Sequence, residues 1–242
     1  MDPSENYAEI LKKLEKAAEP DYRAFHARLV PGANVAYGVR VPQLRKMARE
    51  ILKQDWRGFL QIARDDSYEE QMLQGFVIAL CREEFEQKFT HFCRFTRKMK
   101  DWCVCDCTCA AFKEIQKHRE EIFEKLKEMT QAEDEFTVRA ALVIFLDYFA
   151  DPVYIDSVLA CIEQCRHPGY YAKMAAAWAL SVLFLTDSKK PAAVICRMDE
   201  FVQKQAVKKI KESYRVPKEA TAAAAERTAK RIEKTYTLCF KL

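Results

Sequence analysis

DWCVCDCTCAAFK, Asp101 to Lys113, reads as one helix with two unlike sides. Trp102 and Asp106 are four residues apart, which places them about 40° apart on one face. Cys109 and Lys113 fall on that face as well. The opposite side carries Val104, Thr108, Ala111, Phe112 and Ile115, a core stripe. The pattern predicts a large aromatic ring and a carboxylate turned together away from the helix's own packing face, with Asp106 facing solvent.

Helices flank this one in both directions, and they come in pairs. Upstream, Ser67 opens a helix through Met72, Phe76 and Leu80, and a second spans Glu83–Met99. Downstream the spacing predicts His118–Met129, then Glu133–Phe149 with Pro152–Cys161. Gly169–Leu185 pairs with Lys189–Arg197, and Met198–Ser213 with Lys218–Tyr236. The leading helices begin near Asp101, Glu133, Gly169 and Met198, about thirty to thirty-six residues apart. Two-helix units at this period signal an α-solenoid of HEAT-like repeats with a concave groove; a compact helical bundle is the alternative. The N-terminal region fits the same all-α class. Pro3–Ala17 and a helix opening at Pro20 precede a turn at Pro31–Asn34. In YGVRVPQLRKMA, from Tyr37, Pro42 suits a first helical turn, and Asp55 can cap the next helix. The organisation expected is a single domain over 1–242, with N-terminal helices in 1–64 and paired repeats in 67–236.

Composition narrows the class. The chain has 242 residues, half of them hydrophobic, with only 5 glycines and 8 prolines, too few tight-turn residues for a strand-rich fold. The net charge of +4, from 40 basic and 36 acidic residues, argues for nucleic acid only where charges cluster. No apolar run reaches the roughly 18 residues of a membrane span, so no membrane association is expected. The polar opening MDPSENYAEI does not read as a signal peptide, and the 10 cysteines are expected to be reduced thiols in the cytoplasm. Cys103, Cys105, Cys107 and Cys109 alternate at i, i+2. On a helix this sends neighbours about 200° apart, so the four do not converge as zinc ligands must. They read as small packing residues, and no metal site is expected.

Three residues stand out on equivalent leading helices. Trp102 with Asp106 lies on one. Arg139 is the lone charge in an apolar run, and Trp178 is the only large ring in MAAAWAL. Each has an ordinary reading: an Arg paired for structure, a core Trp, an acid favoured by the helix dipole. Basic residues cluster at Lys204, Lys208, Lys211 and Arg215, with Lys209 off that stripe, and again at Arg227–Lys234. Lys113 and Lys173 could extend the patch. Such a cluster is either a solvated face or a row of phosphate contacts.

The stretches YGVRVPQLRKMA, DWCVCD, TVRAALVIFLDYF, YYAKMAAAWALS and IKESYRVPKE together resemble the AlkD-type DNA alkylation repair proteins, bacterial HEAT-like-repeat DNA glycosylases. The resemblance runs from about Tyr22 to Lys218, with YGVRVPQLR closest to a distinct branch; the cysteines around Asp106 depart from the family's pattern. Its Trp-x-x-x-Asp falls on Trp102 and Asp106, its next-repeat Arg on Arg139, and its second Trp on Trp178. The resemblance implies a monofunctional glycosylase, working as a monomer on double-stranded DNA that carries alkylated bases. It would release cationic N3- or N7-alkylpurines without flipping the base, and without a metal or organic cofactor. Asp106, Trp102, Arg139 and Trp178 would be catalytic. Lys113, Lys173, Lys204, Lys208, Lys211 and Arg215 would hold the backbone. A non-catalytic nucleic-acid-binding solenoid and a protein-interaction scaffold are the competing readings.

Overall fold

The structure, a computed structural model, describes residues 3–213. Among them thirteen α-helices and a short 3-10 turn account for all regular structure. The chain divides between Lys117 and His118 into two compact units. The expected second helix of the last pair, Lys218–Tyr236, and with it Arg215, lies outside the described residues.

In the first unit the helices are α1 (Pro3–Lys16), α2 (Pro20–Leu29), α3 (Val41–Ile51), α4 (Trp56–Ile62), α5 (Tyr68–Leu80), α6 (Phe85–Thr96) and α7 (Trp102–Ala111). Here α3 and α7 both pack on α5, while α6 lies against α5 and α4 against α1. The middle position of α5 explains its composition. Every residue from Tyr68 to Ala79 is buried, so the helix is covered all round and shows no amphipathic stripe. A phenylalanine cluster, Phe85, Phe89, Phe92 and Phe112, fills the space between α6 and the end of α7.

The second unit holds α8 (Arg119–Met129), α9 (Glu135–Tyr148), α10 (Ile155–Gln164), α11 (Tyr170–Thr186), α12 (Lys189–Ile195) and α13 (Glu200–Glu212). α9 and α13 flank α11, and α8, α10 and α12 form a second layer on them. Thr137 to Leu146 are buried without a break. Within each unit leading helices pack side by side and alternate with a second layer, a pattern consistent with the expected α-solenoid. Among the described residues no helix is long and apolar enough to cross a membrane.

Helix ends depart from expectation where the pattern carried no stop. The helix expected at Glu83–Met99 is confined to Phe85–Thr96, and the one expected to run to Lys113 ends at Ala111. Lys113 instead opens the 3-10 turn Lys113–Lys117. Starts are better marked. Asp55 does cap α4, accepting from the Gly58 N–H at 2.9 Å. Ser67 caps α5, accepting from the Glu70 N–H at 3.2 Å.

The head of α5 also organises the segment before α3. Glu69 is fully buried. Its carboxylate accepts the backbone N–H groups of Ala36, Tyr37, Gly38 and Val39 at 3.1, 3.2, 2.7 and 3.4 Å. Gly38 has φ +76 and its α-carbon lies so close to the Glu19 carbonyl and Arg23 that a Cβ would come within 2.6 Å of either, so only glycine fits this turn. Next to it Glu70 accepts from the Ser67 hydroxyl at 2.7 Å and from the Tyr7 hydroxyl, which fastens α1. Glu69→Gln keeps the shape but replaces one acceptor oxygen with a donor facing those N–H groups. We expect it to lower unfolding free energy by about 2 kcal/mol in urea titration, with amide exchange accelerating first at residues 36–39.

Candidate functional site

The residues singled out in the sequence divide between the units. Trp102 and Asp106 belong to the first, Arg139 and Trp178 to the second.

In the first unit, α7 is aimed by its cap. Asp101 is buried, and its Oδ1 accepts the N–H groups of Cys103 and Val104 at 2.8 and 2.9 Å. Trp102 is half-buried, and its indole N–H donates to the Leu29 carbonyl at the end of α2 at 2.9 Å. This bond fixes the ring and satisfies one of the carbonyls that a helix C-terminus leaves open. Asp106, one turn further on, is half-buried. The side opposite them behaves as its stripe predicts: Val104, Thr108, Phe112 and Ile115 are sealed in the core. Cys109 does not follow its expected face. It is fully buried, because neighbouring helices cover more of α7 than the apolar stripe alone. Phe25 and Leu29 on α2 are among the few large apolar side chains left exposed, beside the carbonyl that takes the Trp102 N–H.

The cysteines split as their spacing requires. Cys105 and Cys109 are fully buried packing residues. Cys103 and Cys107 share the other side, with their sulfurs 3.9 Å apart, and the Tyr68 hydroxyl lies 3.2 Å from the Cys103 sulfur. The His26 ring stands 4.5 Å from the Tyr68 ring. Hydrogen bonding by Cys107, with the nearby His26 ring and the Tyr68 hydroxyl acting in the same direction, holds the Cys103 thiol below the usual thiol range. The bond to Cys103 and burial push Cys107 up. Burial, then the neighbouring Cys103 charge, raises Tyr68. Among the described residues no group of three or more His, Cys, Asp and Glu is arranged to hold a metal ion.

In the second unit Arg139 is buried and donates from Nη1 to the Tyr171 carbonyl at 2.9 Å. One turn earlier on α9, Glu135 accepts the N–H groups of Tyr171 and Ala172. The two side chains grip the head of α11 by opposite backbone groups. Gly169 makes room for the grip, since a Cβ there would lie 2.3 Å from a Glu135 oxygen. Trp178, on the same helix, is half-buried, and the Lys209 ammonium stands 5.8 Å from its ring centre. The lysine that reaches this ring is thus the one that falls off the basic stripe.

The basic residues are less idle than their clustering suggests. Lys173 pairs with Asp199 at 3.3 Å, Lys204 with Glu200 at 2.6 Å and Lys208 with Glu212 at 3.9 Å. Lys113 and Lys211 are exposed. Lys173 and Asp199 also line a cavity of about 310 Å³ with Arg166, His167 and Arg197.

Several of these groups could not be read from the chain. His26 sat on a helical stripe without a signal, and its neighbours Tyr68 and Cys103 come from distant segments. Asp101 did carry one, an acid directly before a helix, which is the N-cap position.

The chain belongs to the family described as DNA alkylation repair enzyme, whose pattern matches residues 10–227. Its role is accordingly in DNA alkylation repair. Searches of curated proteins and of solved structures return no match to this chain.

The buried cap gives a pH signature. Burial pushes the Asp101 carboxyl up to about 6 from 3.8, with the cap bonds opposing. The folded state therefore prefers the protonated acid. Its contribution to stability is complete below the unfolded value and is lost as pH rises through the folded one. Asp101→Asn keeps a capping oxygen without the charge. Relative to the wild type, the variant should gain about 2 kcal/mol as pH rises from 4 to 6.5, read as the difference in urea midpoints. A difference that stays flat across that range contradicts the assignment.

Proposed function

We propose that this protein is a monofunctional DNA glycosylase that hydrolyses the N-glycosidic bond of cationic N3- or N7-alkylpurines in duplex DNA, leaving the lesion unflipped. The observation that carries the reading is the coincidence of family membership over residues 10–227 with a Trp-x-x-x-Asp turn, Trp102 to Asp106, at the head of a capped helix. We assign the two units to one functional domain that acts as a monomer in the cytoplasm.

The chemistry follows from the charge on the substrate. An alkylated purine cation leaves as a neutral base, so bond cleavage asks little of a general acid. As the C1′–N bond breaks, positive charge moves onto the deoxyribose, and water then adds at C1′ and releases a proton. A carboxylate at Asp106 stabilises that oxocarbenium-like charge and orients the water. The faces of Trp102 and Trp178 hold the sugar and backbone and favour the developing cation. Arg139 binds a phosphate, and Lys113, Lys173, Lys204, Lys208, Lys211 and Arg215 supply backbone contacts. The half-buried, tethered Trp102 supports the reading because a ring held by Leu29 is pre-set for one orientation.

The test is base release. Incubated with methylated duplex, the purified protein should liberate 7-methylguanine or 3-methyladenine. Asp106→Asn should slow release by about a hundredfold or more while changing duplex affinity only a few-fold. Binding of methylated duplex without any base release would eliminate the glycosylase and leave a non-catalytic DNA-binding protein.

A further inference from the structure

Cys103 and Cys107 stand four residues apart on α7, and Asp106 lies between them in the chain. Their sulfurs are 3.9 Å apart, close enough for one thiol to donate to the other. The Tyr68 hydroxyl lies 3.2 Å from the Cys103 sulfur, and the His26 ring stands 4.5 Å from that of Tyr68. The His26 Nε2 is sealed from solvent and meets no hydrogen-bond partner, so this corner of the core is polar without being fully satisfied. Cys103 is 6% exposed, and Cys107 beside it is half-buried, so the pair meets solvent at one edge. Cys161 and Cys165 repeat the spacing on α10 without this arrangement. Cys165 stands just past the helix end, and burial pushes both of those thiols up.

The short sulfur contact divides the two roles. The bond from Cys107 favours the Cys103 thiolate, whereas Cys107 keeps its proton. A thiolate is the form that attacks a peroxide, and a thiol held against it is placed to resolve the product. Helix geometry then sets what closure does. Residues four apart have α-carbons about 6 Å apart, inside the range that a disulfide spans. Their β-carbons stand about 5–6 Å apart, wider than the roughly 3.5–4.5 Å of a relaxed disulfide. Closing the bond therefore draws the turn between them out of helical shape, and a disulfide made under that strain is readily reduced.

We infer that Cys103 and Cys107 are a redox pair, which hydrogen peroxide closes into a reversible disulfide that deforms the α7 turn carrying Asp106. The Cys103 thiolate attacks one peroxide oxygen; the O–O bond breaks, giving a sulfenic acid on Cys103 and hydroxide. The hydroxide takes the Cys107 proton and becomes water. The Cys107 thiolate then attacks the Cys103 sulfur and expels hydroxide as the S–S bond forms. The electron pair that the two sulfurs lose goes to the peroxide. A dithiol from outside the chain reopens the pair by exchange. Disulfide formation rests on the geometry of the thiols; its effect on base release rests on the glycosylase reading.

The full chain is treated with hydrogen peroxide, unfolded, blocked with N-ethylmaleimide and cleaved with trypsin. Asp101–Lys113 is then one peptide that holds Cys103, Cys105, Cys107 and Cys109. It should carry labels on Cys105 and Cys109 only, and dithiothreitol added before blocking should restore the other two. Cys103→Ser and Cys107→Ser should each keep every remaining thiol of the peptide labelled, whereas Cys105→Ala should still lose the labels on Cys103 and Cys107. Cys161 and Cys165 should stay labelled throughout. In the oxidised protein amide exchange at residues 103–107 should accelerate. Base release from methylated duplex should fall about a hundredfold and return with dithiothreitol. Full labelling after peroxide, sulfinic acid at Cys103 in place of a disulfide, or a disulfide that leaves amide exchange in α7 unchanged each overturn the inference. A reduced wild type that releases no base defeats the glycosylase reading alone, since the labels and the amide exchange still decide this one.

Discussion

Within each unit, carboxylates that meet backbone N–H groups at or near the heads of helices set how the helices pack. A helix leaves its first four N–H groups without partners, and burying them unsatisfied is costly. This chain answers the problem with acids. Glu69, at the head of α5, gathers four N–H groups from the segment that leads into α3. Asp101 closes the first turn of α7, and Asp199 closes that of α13. Glu135 reaches across from α9 to the head of α11. Glu135 is thus a cap supplied in trans, by a neighbouring helix, and Glu69 does the same for a segment that leads into one. Such a cap fixes the register between packed helices as well as the start of one.

The candidate residues hang on these caps. Trp102 follows directly after Asp101, so its departure from the backbone is set by the cap bonds to Cys103 and Val104. Arg139 shares its helix with Glu135, and both grip the same turn of α11 that leads towards Trp178. The structural task of Arg139 and its proposed role in repair draw on the same guanidinium, which has several donors to divide between them. The paired lysines have a related double use. Lys173, Lys204 and Lys208 hold carboxylates of their own unit. An approaching phosphate would have to compete with those carboxylates, so the effective positive charge is smaller than a count of lysines suggests.

What could be read from the chain was what local periodicity and capping encode. Asp55 and Ser67 announced helix starts, and the stripe Val104–Thr108–Phe112–Ile115 announced a buried face. The pairing of helices followed from their spacing. Helix ends were less legible, since Glu83–Met99 and Asp101–Lys113 carried no glycine stop, and the observed ends depend on packing. The fully covered helices α5 and α9 lack an amphipathic period, so their inner and outer sides could not be told apart. Cys109 misled for a related reason, because a helical wheel knows only its own stripe and not the helices that cover the rest. The cluster of His26, Tyr68 and Cys103 arises from contacts between segments far apart in sequence. No window of one helix contains it. Lys204 and Lys208, in contrast, had partners four residues away at Glu200 and Glu212, visible to a reading that extended past the basic run.

The bond from Trp102 to Leu29 has a consequence for what each side chain of the pair depends on. Asp106 is presented by a short helix whose cap is local, so its position can be set as soon as α7 forms. The indole is tethered to a carbonyl seventy-three residues earlier in the chain. Closing so long a loop carries an entropy cost that only the intervening helices, once packed, can offset. The orientation of the Trp102 ring is therefore set by a long-range contact with α2, whereas the start of α7 is set by its own cap. The aim of the ring thus depends on α2 being in place; the cap of α7 does not.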